Sequence, residues 1–273
     1  MPYTIEMSNI LNDSKVYPSS VYGIEMGKEY RFTDLRTTVN TDILCAPADL
    51  DFSEKEISCK ERLYRYQLAD CKKFELDFCK SSRKKYSFKI ISDLYFVLWG
   101  IESDDNLIDS SETIISPKQN IVRALPELRK KQRGRPVIDW DLYMKSKNDE
   151  LEEFSYRVAT MGNFMPVPSC EQIVLNTYFR ERFDVLLSEI KKYYEEEKKH
   201  ISFTNKFVIW LESFVGDNGN KKWLNFVDKN YLKGSFIDEK YDVIEYDGTL
   251  SQLSKMIYKR SVVMIQEYVK RTE

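Results

Sequence analysis

The stretch Thr160-Met-Gly-Asn-Phe-Met-Pro-Val-Pro168 decides the fold of the second half of this chain. Gly162 and Asn163 are the residue types that best tolerate left-handed backbone angles after the last turn of a helix. Pro166 and Pro168 fix their own φ and favour extended backbone at the residues before them. The stretch therefore predicts a corner at which a helix ends and an extended segment begins.

Apolar residues recur at helical spacing on both sides of this corner. Leu151, Phe154 and Val158 mark a helix that runs into the corner. Residues 241–246 alternate between apolar and polar side chains before Asp247-Gly248, which predicts a strand and a tight turn. Further apolar stripes predict helices within residues 179–194, 203–214, 223–231 and 250–268.

The first half of the chain has weaker patterns. Residues 1–50 predict short strands and loops, residues 59–78 predict a helix, and residues 87–99 predict a buried element. Residues 104–117 resemble a loop, and residues 121–131 predict a short helix. Together the patterns predict a helix-dominated α+β fold with a few short antiparallel strands. We expect a mixed N-terminal region over residues 1–136 and a helical C-terminal region over residues 137–273, or one continuous domain.

The amino-acid composition limits the partners and the cellular location that we expect for this chain. The formal net charge is −2, so a nucleic acid or an anionic membrane would have to bind a local patch. The longest apolar run, residues 94–99, is far shorter than the about 20 residues that span a bilayer. We therefore expect a cytoplasmic protein with no membrane partner and no cofactor. The five cysteines include no C-x-x-C pair, which fits a reducing compartment: they are Cys45, Cys59, Cys71, Cys79 and Cys170.

His200 is the only histidine, which removes most catalytic sites built on imidazole. It follows a run of charged residues at the end of a predicted helix. The sequence predicts that His200 is a cation at the C-terminus of that helix rather than a catalytic base.

The segment Arg129-Lys-Lys-Gln-Arg-Gly-Arg-Pro136 is the sharpest local signal for binding. Its core resembles the AT-hook, a short extended peptide that lies in an A·T-rich minor groove. A solvated loop whose bases pair with nearby acids, and another anionic partner, are the alternatives. The candidate nucleic-acid-binding residues are Lys130, Lys131, Arg133 and Arg135.

A metal-dependent nuclease of a phage-defence or toxin type is the alternative function. Asp139, Asp141 and Asn163 would supply oxygen ligands, with Asp238-Glu-Lys240 downstream. Asn163 also resembles the asparagine of some HNH-type nucleases, but the histidine that acts there as general base is missing, so such a site would be degenerate. Asp139 is equally suited to cap a helix. We predict no catalytic or metal-binding residue, and whether the chain is an enzyme stays open.

Ordered pieces from residue 160 onward resemble an uncharacterised bacterial domain-of-unknown-function family. The pieces are Gly162-Asn-Phe-Met-Pro-Val-Pro168, Asn176, Arg182-Phe-Asp-Val-Leu-Leu-Ser-Glu-Ile-Lys-Lys-Tyr-Tyr194, Trp210-Leu211 and Asn230-Tyr-Leu232. The resemblance implies a bacterial origin but brings no activity with it. The expectation is a non-catalytic binding protein, with a nucleic acid or a protein as its partner.

Overall fold

A computed structural model describes residues 95, 97–100, 110–132, 134–158, 160–167, 179, 182–214 and 222–272 of the chain. In this part 59% of the residues are helical and 12% lie in strands, which confirms the predicted helix-dominated α+β class. The elements in chain order are β1 (Ser110–Thr113), α1 (Pro117–Ala124), β2 (Arg129–Gln132), β3 (Arg135–Ile138), α2 (Trp140–Lys145), α3 (Asp149–Arg157), β4 (Phe164–Val167), α4 (Phe183–Glu196), α5 (Asn205–Glu212), α6 (Lys222–Lys229) and α7 (Leu250–Thr272).

The strands form two antiparallel pairs. β1 pairs with β4 in a register that sets Ser110 opposite Val167 and Thr113 opposite Phe164. β2 pairs with β3 to form a hairpin. The expectation of a loop over residues 104–117 is wrong at β1, because the backbone of that polar segment finds its partner in the extended end of the corner.

The predicted corner is confirmed in outline. α3 ends at Arg157, a 3₁₀ turn covers Met161–Asn163, and β4 follows at once. The expectation of left-handed angles at Gly162 and Asn163 is wrong, because neither has a positive φ. Gly162 is required for another reason. A Cβ there would lie 2.0 Å from Ser261 Oγ and 2.6 Å from the carbonyl oxygen of Ile257.

The predicted helical stripes form the core. The stripe of α4 is confirmed at Phe183, Leu186, Leu187 and Ile190, all of which are buried. α4 packs against α6, whereas α7 packs along α3 and the corner. Thr204 caps α5 by accepting a hydrogen bond from the N–H of Phe207 at 3.1 Å. Each helix therefore turns its apolar face toward one shared interior.

Two other local expectations are wrong. The helix expected over residues 121–131 begins at Pro117 and ends at Ala124, since residues 129–132 pair as β2. The strand expected over residues 241–246 is reduced to a single bridge between Ile237 and Val243. Within the described helices, none combines the length and the apolar character that a membrane span requires.

The expected boundary between residues 136 and 137 falls inside β3. β1 and β4 also pair across it, and buried residues from both sides belong to one apolar cluster. The described residues on the two sides of the expected boundary therefore pack together. Most of the expected N-terminal region lies outside them. The buried element expected over residues 87–99 is described only in part, where Tyr95, Val97 and Leu98 are helical and buried.

Candidate nucleic-acid interface

The basic segment is a β-hairpin rather than a single extended peptide. Gln132 pairs with Arg135, so only two residues connect the strands. Gly134 has a φ of 75°, the left-handed angle that such short hairpin turns favour. Pro136 is one pair beyond the closing pair, where a residue of the ladder makes no backbone hydrogen bond to its partner. Proline is therefore tolerated at position 136. Because the segment is paired as a hairpin, the single extended conformation of an AT-hook is wrong for it.

The hairpin is anchored at its base and exposed beyond it. Leu128 and Ile138 are buried on either side of the base. The N–H of Asp139 donates to the carbonyl oxygen of Leu128 at 2.7 Å, which continues the pairing into the core. The side chains of Arg129–Gln132 and those of Arg135 and Pro136 are exposed. The hairpin is therefore open to solvent beyond its base, while β3 also contacts α1.

The exposed hairpin carries a cluster of cations. Lys130 Nζ lies 3.7 Å from Asp139 Oδ1, in a pair whose side chains are 46% and 25% exposed. Such an exposed pair contributes at most about 1 kcal/mol. Within the described part of the chain, Arg129, Lys131 and Arg135 make no ion pair. The hairpin thus brings together three of the predicted site residues, Lys130, Lys131 and Arg135, whereas the predicted Arg133 lies outside the described residues.

Two acids of the nuclease alternative, Asp139 and Asp238, have structural roles. Asp139 is the N-cap of α2, and its Oδ1 accepts from the N–H groups of Asp141 and Leu142 at 3.1 and 3.4 Å. Asp238 Oδ1 accepts from the N–H groups of Lys240 and Asp242, both at 2.8 Å, and so closes a turn. Among the residues that the structure describes, no group of three or more histidine, cysteine or acidic side chains could hold a metal ion.

Asn163 has a structural role as well. Its Oδ1 accepts from the N–H of Ile115 at 2.8 Å. Its Nδ2 donates to the carbonyl oxygens of Ile115 and Val158 at 3.1 and 2.8 Å. Both amide protons are therefore used, and the side chain is 0% exposed. Asn163 connects the corner to the end of α3 and to the segment that follows β1.

Arg260 on α7 is the most unusual buried side chain, with 0% exposure. Its Nη1 donates to the carbonyl oxygens of Gly162 and Phe164, both at 2.7 Å. Its Nε donates to the carbonyl oxygen of Asn230 at 3.0 Å, and its Nη2 donates to the hydroxyl of Tyr95. Burial lowers the pKa of Arg260, and burial raises the pKa of Tyr95 against the opposing effect of the nearby guanidinium.

Sequence reasoning missed this arginine although a signal was present. Leu253, Ile257 and Met264 define the inner face of α7, and the spacing places residue 260 on the same face. A charged residue at a core position of an apolar stripe indicates a buried polar contact.

His200 differs from its expectation. α4 ends at Glu196, and Glu197 caps it with a left-handed φ of 54°, so His200 lies beyond the helix terminus. Its Nδ1 accepts from the N–H of Ser202 at 3.2 Å, and its ring packs 5.3 Å from that of Phe179. The expectation of a cation facing the helix dipole is therefore wrong, because the chain leaves the helix axis before His200.

Comparisons with models of protein families, with curated proteins and with solved structures found no match to this chain. The resemblance to a bacterial domain of unknown function, drawn from the sequence, therefore stays a prediction.

Proposed function

We propose that this chain is a non-catalytic, cytoplasmic nucleic-acid-binding protein and that the β2–β3 hairpin is its contact surface. One observation carries the proposal. Four cationic side chains stand exposed on the hairpin, and among the described residues only Lys130 has an acidic neighbour within ion-pair distance. A folded hairpin fixes the backbone that carries these charges before binding, so only the entropy of their side chains is lost when a ligand orders them.

The net charge of the whole protein determines how strong the proposed binding is and how much it depends on salt. With a net charge of −2, the protein as a whole does not attract polyanions, and the attraction must come from the hairpin alone. Each phosphate neutralised on duplex DNA releases counterions and contributes about 0.9 to the salt slope. A contact made by the cations of a single hairpin will therefore be weak and strongly dependent on salt.

The alternatives receive less support. The nuclease alternative needs ligands at Asp139, Asp141 and Asn163, and backbone hydrogen bonds already engage Oδ1 of Asp139 and the whole amide of Asn163. A protein partner would most readily use apolar surface. Ile201 and Ile209 are the most exposed large apolar side chains among the described residues, at 93% and 71%, but isolated exposed residues of this kind are common in monomers.

A binding titration tests the proposal. The full chain is titrated against a labelled DNA duplex and a labelled single strand at two salt concentrations. We expect binding at low salt, and we expect the combined replacement Lys130→Gln, Lys131→Gln and Arg135→Gln to weaken it and to lower the salt slope. The combination Lys198→Gln, Lys255→Gln and Lys270→Gln removes the same charge from other exposed positions and should leave binding unchanged. Absence of binding at low salt, or equal losses in both variants, would overturn the proposal.

A further inference from the structure

We infer that the hairpin enters the major groove of B-form duplex DNA and that Gln132 and Arg135 contact the edges of the bases. This inference rests on the proposed function and narrows it to one class of nucleic acid. It follows from the dimensions of the hairpin, the register of its strands and the chemistry of the residues at its end.

The width of the hairpin selects the groove. Two paired strands stand about 4.8 Å apart, before the width of the backbone atoms is added. The minor groove of B-DNA is about 6 Å wide, whereas the major groove is about 12 Å wide and admits a two-stranded ribbon. A single extended peptide could lie in the minor groove, but this paired segment is too wide for it.

The length of the hairpin is sufficient to reach the floor of the groove. Three residue pairs follow the buried Ile138, from Lys130 opposite Val137 to Gln132 opposite Arg135. At a rise of about 3.4 Å per residue these pairs extend roughly 10 Å along the strands beyond Ile138. The major groove is about 8.5 Å deep, so the end of the hairpin can touch base edges while its base stays near the phosphates.

The register of the strands places different residues on the two faces of the hairpin. Side chains alternate along a strand, so Gln132 and Arg135 lie directly opposite each other on one face with Lys130. Arg129 and Lys131 belong to the other face. The face with Gln132 and Arg135 therefore presents its hydrogen-bonding groups at the end of the hairpin, and the other face presents cations along its length.

The residue types at the end of the hairpin match the major-groove pattern of the bases. The amide of glutamine can pair with N6 and N7 of adenine, and the guanidinium of arginine can pair with O6 and N7 of guanine. Both side chains are exposed, and no contact in the described residues occupies either of them. Arg129 and Lys131 are suited to phosphates, which position a protein without reading sequence.

Comparison of two duplexes tests the choice of groove. The full chain is titrated against a DNA duplex and an RNA duplex of the same sequence. The major groove of A-form RNA is deep and narrow and excludes protein elements of this kind. We expect the DNA duplex to bind at least about tenfold more tightly, the discrimination expected of one good base contact. Equal affinity would overturn the inference and leave the proposed function standing, whereas absence of binding to both would overturn the proposed function itself.

Sequencing of bound DNA from a randomised duplex pool tests the contacts with bases. We expect the unchanged protein to enrich a short motif that contains adenine and guanine. Gln132→Ala should remove the preference for adenine and leave the salt slope unchanged. Lys131→Ala, on the opposite face of the same strand, should keep the motif and lower the slope by about 0.9. A pool without enrichment, or loss of the motif in Lys131→Ala but not in Gln132→Ala, would overturn the assignment of the two faces.

Discussion

Gly162 shows how a single residue can be identified correctly from the sequence for the wrong reason. The sequence marks it as part of a corner, and the corner exists. Glycine is needed at position 162 because it has no side chain, and not because of its backbone freedom. α7 passes directly over it. The close approach of two segments that are about a hundred residues apart leaves no local pattern in the sequence.

Replacement of Gly162 by alanine should therefore destabilise the fold. The new Cβ would lie 2.0 Å from Ser261 Oγ and 2.6 Å from the carbonyl oxygen of Ile257. Overpacking of this kind costs about 1–3 kcal/mol, which urea unfolding would measure as a lower free energy of unfolding. The same replacement in a Ser261→Ala background should stay destabilising, because the backbone of Ile257 cannot move aside without distorting α7. An unchanged free energy of unfolding in Gly162→Ala would contradict this packing.

At the scale of elements, the sequence predicted the helices better than the strands. α4, α5 and α7 could be predicted because each buries one stripe of large apolar side chains at helical spacing. β1 reads Ser-Ser-Glu-Thr and β2 reads Arg-Lys-Lys-Gln, so neither carries the apolar alternation of a half-buried strand. Both are strands because another part of the chain pairs with their backbone.

The hairpin shows the same limit of sequence-based prediction at the candidate site: backbone pairing leaves little trace in the local sequence. Its charge was evident from the sequence, which also marked Lys130, Lys131 and Arg135 as candidate binding residues. The pairing that places Gln132 opposite Arg135 was not evident, because the sequence before Gly134 lacks the asparagine or aspartate that usually precedes glycine in two-residue turns. Consequently the sequence suggested a minor-groove peptide, whereas the paired strands favour the major groove.

Asp139 lies between the hairpin and α2. Its replacement distinguishes the proposed nucleic-acid binding from the nuclease alternative. Asp139→Asn keeps an oxygen that can cap α2 and removes the negative charge that lies 3.7 Å from Lys130 Nζ. We expect stability to change little and nucleic-acid binding to become tighter or stay equal. Asp139→Ala should instead lose about 1 kcal/mol of stability with the cap. Loss of a nuclease activity in Asp139→Asn, at unchanged stability, would support the alternative instead.

At the scale of the whole molecule, we expect several tyrosines to make the free energy of unfolding depend on pH in the alkaline range. Burial raises the pKa of Tyr193 to about 12, helped by its hydrogen bond to Glu212. Burial also raises the pKa of other phenols in the core and at its edge: Tyr95, Tyr194, Tyr231 and Tyr246.

The sign of the effect follows from linkage. The folded state keeps these phenol protons at a pH at which the unfolded chain, with a pKa of about 10, has already lost them. Their contribution is complete below about pH 10 and is lost as the pH rises through 10 and toward the folded values. We expect the free energy of unfolding to fall steeply above about pH 10, and we expect Tyr194→Phe to reduce that fall. A variant with the same alkaline slope as the unchanged protein would contradict the contribution of this buried phenol.

Arg260 connects several distant segments of the molecule. It holds the carbonyl oxygens of Gly162 and Phe164 in the corner, that of Asn230 after α6, and the hydroxyl of Tyr95. A buried ion pair can often be replaced by apolar residues at little cost, because both charged partners are removed together. Here the acceptors are mainly backbone carbonyls, which no substitution removes.

Arg260→Met should therefore leave the carbonyls of Gly162 and Asn230 buried without their donor, at about 1–3 kcal/mol for each. Arg260→Lys should also lose stability, because one ammonium nitrogen cannot replace three guanidinium nitrogens that point to separate acceptors. Lys259→Met removes the same charge from the adjacent exposed position of α7 and should leave the free energy of unfolding nearly unchanged. If urea unfolding gave Arg260→Met the stability of Lys259→Met, the corner would have to be held by the packing of α7 against α3 alone. If instead Arg260→Met proves much less stable, the guanidinium is what fixes the corner, the end of α6 and Tyr95 to one helix.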